Sequence, residues 1–258
     1  MYDFPELRAD TDTLWARLAD SLTAAGISAV PPNLTRSLDH HGIWRHPHLL
    51  LAQACEYPLA TEHAETVRLV ATPHYSAQGC DGALYRSAIV VRQQDPAERL
   101  EDMRNRRCVI NERSSNSGMN LLRAVIAPLA NGKSFFRDVS LSGSHRRSVE
   151  MVADGQADIA AIDCVTLAHL RNFAPNHMDA MRVLCWTEPS PSLPFVTAAG
   201  MDDATVRALR SALAEAIDNP AVRERLFLVG FDFAPDENFA RVLSLAQQAS
   251  ALGYPHLA

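Results

Sequence analysis

The chain has 258 residues, of which 47% are hydrophobic and 21% charged, and its formal net charge is −6. Such a composition fits a soluble globular protein of one large or two modest domains with a substantial core. No run approaches the roughly 20 apolar residues of a membrane helix, and no basic stripe or arm offers the charge that nucleic acid requires.

The first element is a helix capped by Thr11 or Asp12, with Leu14, Trp15, Leu18 and Leu22 on one face and Gly26 as its stop. A short strand is expected over 27–30, ended by Pro31-Pro32. Further strands are expected over 49–54, 67–71 and 83–91, the last rich in β-formers at Ile89-Val90-Val91. Past the break at Gln93-Gln94-Asp95-Pro96 the pattern alternates: helix 97–103, strand 107–111, helix 117–130, strand 138–142, helix 146–154, strand 158–162. Strands separated by helices imply right-handed crossovers and a parallel sheet. A strand over 181–186 leads into a connector stiffened by Pro189, Pro191 and Pro194. A strand over 195–198 and helices over 202–217, 219–227 and 236–252 complete the chain. Breaks near 92–96 and 187–194 divide it into a discontinuous α/β lobe, 1–92 plus 193–258, and an inserted α/β lobe, 93–192. Two lobes with two crossings define a cleft, where a small ligand binds and around which the lobes hinge closed.

Two strand-to-helix junctions carry the chemistry. Ser115-Asn116-Ser117-Gly118 follows the apolar Cys108-Val109-Ile110, and Gly143-Ser144-His145 follows Val139-Ser140-Leu141. The first N–H groups of a helix lack internal partners and sit at its positive end, so hydroxyls and a glycine there make an anion cradle. A single such junction reads more readily as an ordinary N-cap at Ser115 or Ser117. The pair, with an imidazole at the second, points to a site for an oxyanion.

The five cysteines, Cys55, Cys80, Cys108, Cys164 and Cys185, show no metal-ligand spacing. Cys108, Cys164 and Cys185 read as small core residues. Cys55 and Cys80 flank loops and are the candidates for a disulfide if the compartment is oxidising. His40-His41 and His46-x-His48 lack a defined further ligand, so neither a metal nor a cofactor is expected. The opening Met1-Tyr2-Asp3-Phe4-Pro5 has no basic region or apolar stretch of a signal peptide, which leaves a protein that stays inside, or a mature or truncated form.

Several segments occur in the order of a known family: residues 50–59 (Leu-Leu-Ala-Gln-Ala-Cys-Glu-Tyr-Pro-Leu), Thr72-Pro73-His74-Tyr75, Gly79-Cys80 with Gly82, Tyr85-Arg86-Ser87, Ser115-Asn116-Ser117-Gly118, Ser142-Gly143-Ser144-His145 and Asp154-Gly155-Gln156-Ala157-Asp158. Over residues 2–235 the chain resembles the phosphate/phosphite/phosphonate-binding subunits of ABC importers. The resemblance implies a two-lobe type II periplasmic-binding-protein fold with two hinge crossings and an interlobe cleft. It implies that Ser115, Asn116 and Ser117 stand where the family's Ser-Thr-Ser-Gly turn holds the phosphoryl oxygens, with an amide replacing one hydroxyl. It further implies ligand-binding roles for His145 and Tyr85, and weaker ones for Tyr57, Asp163 and Tyr2. Asp163 also reads as the N-cap of a helix starting near Val165. The implied partners are a small oxyanion and an ABC-transporter permease, the implied place is the periplasm, and a monomer is expected.

Three functions remain open at this level. The first is a non-catalytic receptor for phosphate, phosphite or a phosphonate. The second is an enzyme of the same fold, akin to pyrimidine-precursor synthases, using His145; the absence of a Gly-x-Ser-x-Gly elbow argues against a serine hydrolase. The third is a cytoplasmic ligand sensor.

Overall fold

A computed structural model describes residues 2–233 and 238–258. The chain divides into two compact units: Met1–Ser76, Asp81–Ala83 and Pro191–Glu237 form the first, and Ala77–Cys80, Leu84–Ser190 and Asn238–Ala258 the second.

The first unit holds α1 (Arg8–Ala24), α2 (His40–Trp44), β1 (Ala52–Gln53), α3 (Glu56–Pro58, continued by a π turn over Leu59–His63) and β2 (Val67–Tyr75). After the strands of the second unit, the chain adds β10 (Phe195–Ala198), α8 (Asp203–Ala216), α9 (Pro220–Leu226) and β11 (Leu228–Asp232) to the first. Its sheet runs β1-β10-β2-β11 and is antiparallel throughout. The apolar stripe of α1 (Trp15, Leu18, Leu22) and that of α8 (Leu209, Ala212, Leu213, Ala216) pack with Val70 and Ala71 of β2 as one core. The strand expected over 27–30 is absent. Ile27 and Val30 instead lie in loop backbone against this core, and the Trp15 indole donates to the Pro31 carbonyl at 3.0 Å. The strand expected over 49–54 contracts to β1, whereas β2 runs on through Pro73 to Tyr75 and pairs with β11, which the sequence reading missed.

The second unit holds β3 (Leu84–Tyr85), β4 (Ser87–Arg92), β5 (Arg107–Ile110), α4 (Leu121–Ala130, entered through a π turn over Asn116–Asn120), β6 (Asp138–Leu141), α5 (His145–Ala153), β7 (Ile159–Asp163), α6 (Cys164–Phe173), α7 (Pro175–Asp179) and β8 (Met181–Trp186). It also holds α10 (Asn238–Ala251); β9 (Ser190–Pro191), which pairs with β3, begins at its end. The first two positions of the helix expected over 236–252 lie outside the described residues. The five-stranded sheet runs β6-β5-β7-β4-β8. As expected, β5 is parallel to β6 and to β7. By contrast, β4 is antiparallel to both β7 and β8. The helix expected over 97–103, which would have made the crossover from β4 to β5, is only a 3-10 turn over Leu100–Met103, whose Asp102 carboxylate takes the N–H groups of Glu98 and Arg99.

Two boundaries differ from the sequence reading. The first falls before β3, not near 92, because β4 is an interior strand of the second sheet. The residues after 237 join the second unit, not the first: Val242 accepts from the Asn120 amide at 3.3 Å, Pro255 from Arg123 at 2.6 Å, and the Ala258 carbonyl from the Phe135 N–H at 2.7 Å. This crossing comes in addition to the two expected.

Asp158, just before β7, ties the sheet to its flanks. Its carboxylate accepts from the Arg107 N–H at 2.9 Å and pairs with the guanidinium groups of Arg107 at 2.7 Å and Arg92 at 3.0 Å. Burial alone would raise its pKa; hydrogen bonds from Arg107 and Arg92 outweigh it and hold the carboxyl well below the usual range.

The candidate Cys55–Cys80 pairing is not what the structure shows. Cys80 Sγ lies 3.2 Å from Cys164 Sγ, at the start of α6, and none of the five cysteines is in a disulfide. The reading of Cys164 as a plain core residue missed a partner that arrives from the 77–80 segment. Gly79 (φ +103°) makes the approach possible, since a Cβ there would come within 2.9 Å of Cys164 Cβ and 2.8 Å of Trp186. The hydrogen bond from Cys164 and burial push the Cys80 thiol far up, so it is a poor nucleophile. Diamide, which accepts the two thiol hydrogens, is expected to link Cys80 to Cys164 more slowly than it oxidises an exposed thiol. Non-reducing peptide mapping checks this, and a Cys55–Cys80 linkage in the folded protein would contradict it.

Candidate functional site

In the second unit the carboxyl ends of three neighbouring parallel strands lie side by side: Ile110 of β5 is in register with Leu141 of β6, and β5 also pairs with β7. Residues just past such ends are where α/β sheets present ligand groups. Here they are the Ser115–Ser117 turn after β5, His145 after β6, and Asp163 closing β7.

Each junction is built by local capping. Ser115 has extended backbone and its hydroxyl accepts the Gly118 N–H at 3.0 Å, opening the π turn into α4. Gly143 takes φ +85°, which a side chain would resist. Ser144 caps α5 by accepting the Arg147 N–H at 3.1 Å. The two junctions are tied together, because the N–H groups of Ser142 and Gly143 donate to the carbonyls of Ile110 at 2.9 Å and Asn111 at 3.0 Å.

The result brings Ser117 Oγ to 2.8 Å from His145 Nε2, and Asp163 Oδ2 to 3.5 Å from the same nitrogen. The His145 side chain is 12% exposed and that of Asp163 3%. Asp163 is the N-cap of α6, its Oδ1 accepting the Thr166 N–H at 2.9 Å, while Oδ2 faces the imidazole. Asn116 is fully buried, and its amide donates to Ser190 Oγ at 2.8 Å and to the Tyr85 hydroxyl at 3.3 Å, while its Oδ1 accepts from Asn120 at 3.0 Å. The amide that replaces a hydroxyl in this turn is therefore engaged in a network behind Ser117, and it fixes Tyr85 and Ser190. The Ser87 hydroxyl donates to the Ser117 carbonyl at 3.0 Å.

Not all the expected residues gather here. Tyr2 packs edge-on against Tyr75 at 5.5 Å between ring centroids, and Tyr57 is half-buried in α3. Both belong to the first unit, so the cluster just described does not include them. Sequence reasoning in turn overlooked Asn111, Asn120, Ser87 and Ser190. The last was read as part of a proline connector, and only its pairing as β9 with β3 sets it beside Tyr85.

Burial pushes the His145 imidazole below its ordinary pKa and outweighs the Asp163 charge, the Ala161 carbonyl and Glu112, which all favour protonation. The unfolded chain therefore takes up this proton first as pH falls. The stability linked to His145 is fully present above about pH 6.5 and is lost as pH drops through the lower folded-state value. Thermal unfolding followed from about pH 7.5 to about pH 5 is expected to show this loss, and His145→Gln to flatten it. An unchanged slope in the variant would assign the loss to other groups.

Ser117 and Asp163 both approach Nε2. A nucleophile relay needs the carboxylate on the opposite ring nitrogen from the hydroxyl. That nitrogen, Nδ1, is buried and makes no well-formed hydrogen bond. Asp163 therefore does not stand where a Ser-His-Asp relay would place it.

Residues 45–239 match a family model described as the periplasmic phosphonate substrate-binding protein of an ABC transporter. The chain belongs to this family. Its family is periplasmic and its relatives in it are substrate-binding proteins. Solved structures share the fold across nearly the whole chain. A binding-protein component of an ABC phosphonate transporter from Pseudomonas aeruginosa is 18% identical, with TM-score 0.73 over 95% of this chain and 83% of that one. PhnD1 from Prochlorococcus marinus, in complex with methylphosphonate, is 12% identical, with TM-score 0.70 over 95% and 92%. A Xanthomonas citri protein bound to ATP is 16% identical, with TM-score 0.68 over 95% and 94%. At these identities the likeness is one of fold, the two-lobe α/β fold of periplasmic binding proteins. Searching curated proteins gives no significant match. Among the described residues no helix is long and apolar enough to cross a membrane.

Proposed function

We propose that this member of the phosphonate-binding family holds a small phosphorus oxyanion (phosphate, phosphite or an alkylphosphonate) without chemical turnover and delivers it to an ABC importer. The observation that carries the reading is the convergence of the Ser117 hydroxyl and His145 Nε2 at the carboxyl ends of β5 and β6, backed by a fully buried amide network. Neutral donors of this kind bind a dehydrated anion strongly because charge-assisted hydrogen bonds are strong where water is excluded. Asp163 refines the choice. A carboxylate this near would repel a fully ionised ligand, so it favours one that carries a proton or a cationic group toward it. Ligand roles for Tyr57 and Tyr2 rest on the resemblance alone. Work with an importer places the protein's action in the periplasm, with a permease as partner.

Calorimetry and thermal-shift measurements on the purified chain test the reading against phosphate, phosphite, methylphosphonate, 2-aminoethylphosphonate and sulfate. Saturable binding of at least one phosphorus oxyanion, with the ligand recovered unaltered, is the expected result. No stabilisation by any of them at millimolar concentration, or conversion of the ligand, would overturn it.

A further inference from the structure

The first unit contains a cluster that the oxyanion site does not use. His41 of α2 and His63, which ends the π turn after α3, place Nδ1 and Nε2 3.0 Å apart, and Glu62 brings a carboxylate oxygen to within 4.8 Å of both. We propose that His41 Nδ1, His63 Nε2 and the Glu62 carboxylate form a zinc site.

Three features of these residues support it. The first is spacing. Donors bonded at about 2.0–2.1 Å in a tetrahedron lie about 3.3 Å from one another, close to the His41–His63 separation. The second is orientation. The Thr66 hydroxyl donates to the His63 carbonyl at 3.0 Å and lies 3.5 Å from His63 Nδ1. With its hydrogen so engaged it can only accept from Nδ1–H, which leaves Nε2 with its lone pair toward His41. A histidine ligand held through its other nitrogen is the usual arrangement at metal sites. The third is rigidity. Trp44 is 1% exposed, donates to the Gln53 carbonyl at 3.3 Å, and packs edge-on against His41 at 5.2 Å and His63 at 5.5 Å.

Two imidazoles and one carboxylate are borderline donors that suit zinc better than calcium or magnesium, and three protein ligands leave one position for water or a further ligand. Binding through His41 Nδ1 puts the N–H of that neutral imidazole on Nε2, so that both donor nitrogens offer lone pairs to the metal. Arg45 adds a positive charge near His63, and the Glu62 carboxylate acts against it. A bound ion would staple α2 to the turn after α3, segments that the sequence separates by a loop and β1.

The experiment strips the full-length protein with EDTA, reloads it with zinc chloride, and reads metal content by mass spectrometry and affinity by competition with a chromophoric chelator. One zinc per chain is expected, with a higher melting temperature, and no such effect from calcium. His41→Ala and Glu62→Gln are each expected to weaken zinc binding by at least about tenfold, and Glu62→Gln, at an exposed position, to leave the metal-free melting temperature near that of the parent. His63 is buried, so the outcome does not depend on a His63 variant. Failure to bind zinc, binding unchanged in both variants, or binding abolished instead by His46→Ala or His48→Ala would overturn the proposal.

Discussion

Replacing His145 by alanine is expected to weaken phosphorus-oxyanion binding by about 2–3 kcal/mol, and Ser117→Ala by about 1–2 kcal/mol. Losing a buried donor leaves a charged acceptor unpaired in a place water enters poorly, and that penalty exceeds the net worth of an ordinary hydrogen bond. His145 is assigned the larger loss because it is also the one cluster member that can become cationic when an anion arrives. Binding should therefore tighten as pH falls toward the ordinary histidine range in the parent protein, and His145→Ala should lose that dependence. The two residues share a contact of 2.8 Å, so the double variant is expected to lose less than the sum of the single losses. Isothermal titration of both singles and the double at two pH values reads all of this. Affinities within about twofold of the parent in both singles would remove the cradle as the binding site.

The parts of the fold that could be read from sequence were those set by local periodicity and capping. The α1 stripe, the β5–α4–β6–α5–β7 alternation, and the Ser115 cap all depend on residues within a turn or two of one another. Strands decided by distant partners were not readable. β11 exists because it pairs with β2, and 27–30 remains a loop because its apolar side chains reach the core without a partner strand. The same division runs through the site. Ser117 and His145 were legible as helix-start residues, and Asp163 as a cap. That Asn116 spends its amide on Tyr85 and Ser190 was not, since Ser190 comes from a far part of the chain and is brought in by β-pairing. The residue after β5 shows the limit most plainly: Asn111 was read as the last residue of a strand over 107–111, yet β5 ends at Ile110 and the Asn111 oxygen fills the space a Cβ on Gly118 would need.

The lack of room for a Cβ there makes Gly118→Ala a discriminating single-methyl change. A Cβ at Gly118 would fall 1.8 Å from Asn111 Oδ1, 2.9 Å from its Cγ and 3.1 Å from His145 Cε1. The Asn111 oxygen is buried without a hydrogen-bond partner, so moving that atom gives up no hydrogen bond of its own, and turning the side chain off its rotamer costs about 0.5–1.5 kcal/mol. Alanine in a helical turn returns about 0.8–1.0 kcal/mol relative to glycine. The two roughly cancel, and the melting temperature is expected to move little. Affinity should not be spared, because the imidazole must yield by a few tenths of an ångström and the displaced Asn111 side chain needs room beside it. A loss of at least about tenfold, about 1.4 kcal/mol, is expected. Adding Asn111→Ala separates the causes. If the Asn111 clash dominates, the double variant should bind like Asn111→Ala alone. If the methyl acts directly on His145, the loss should persist in the double variant. Parent-like affinity in Gly118→Ala itself would mean that the ligand does not depend on the His145 position this turn enforces.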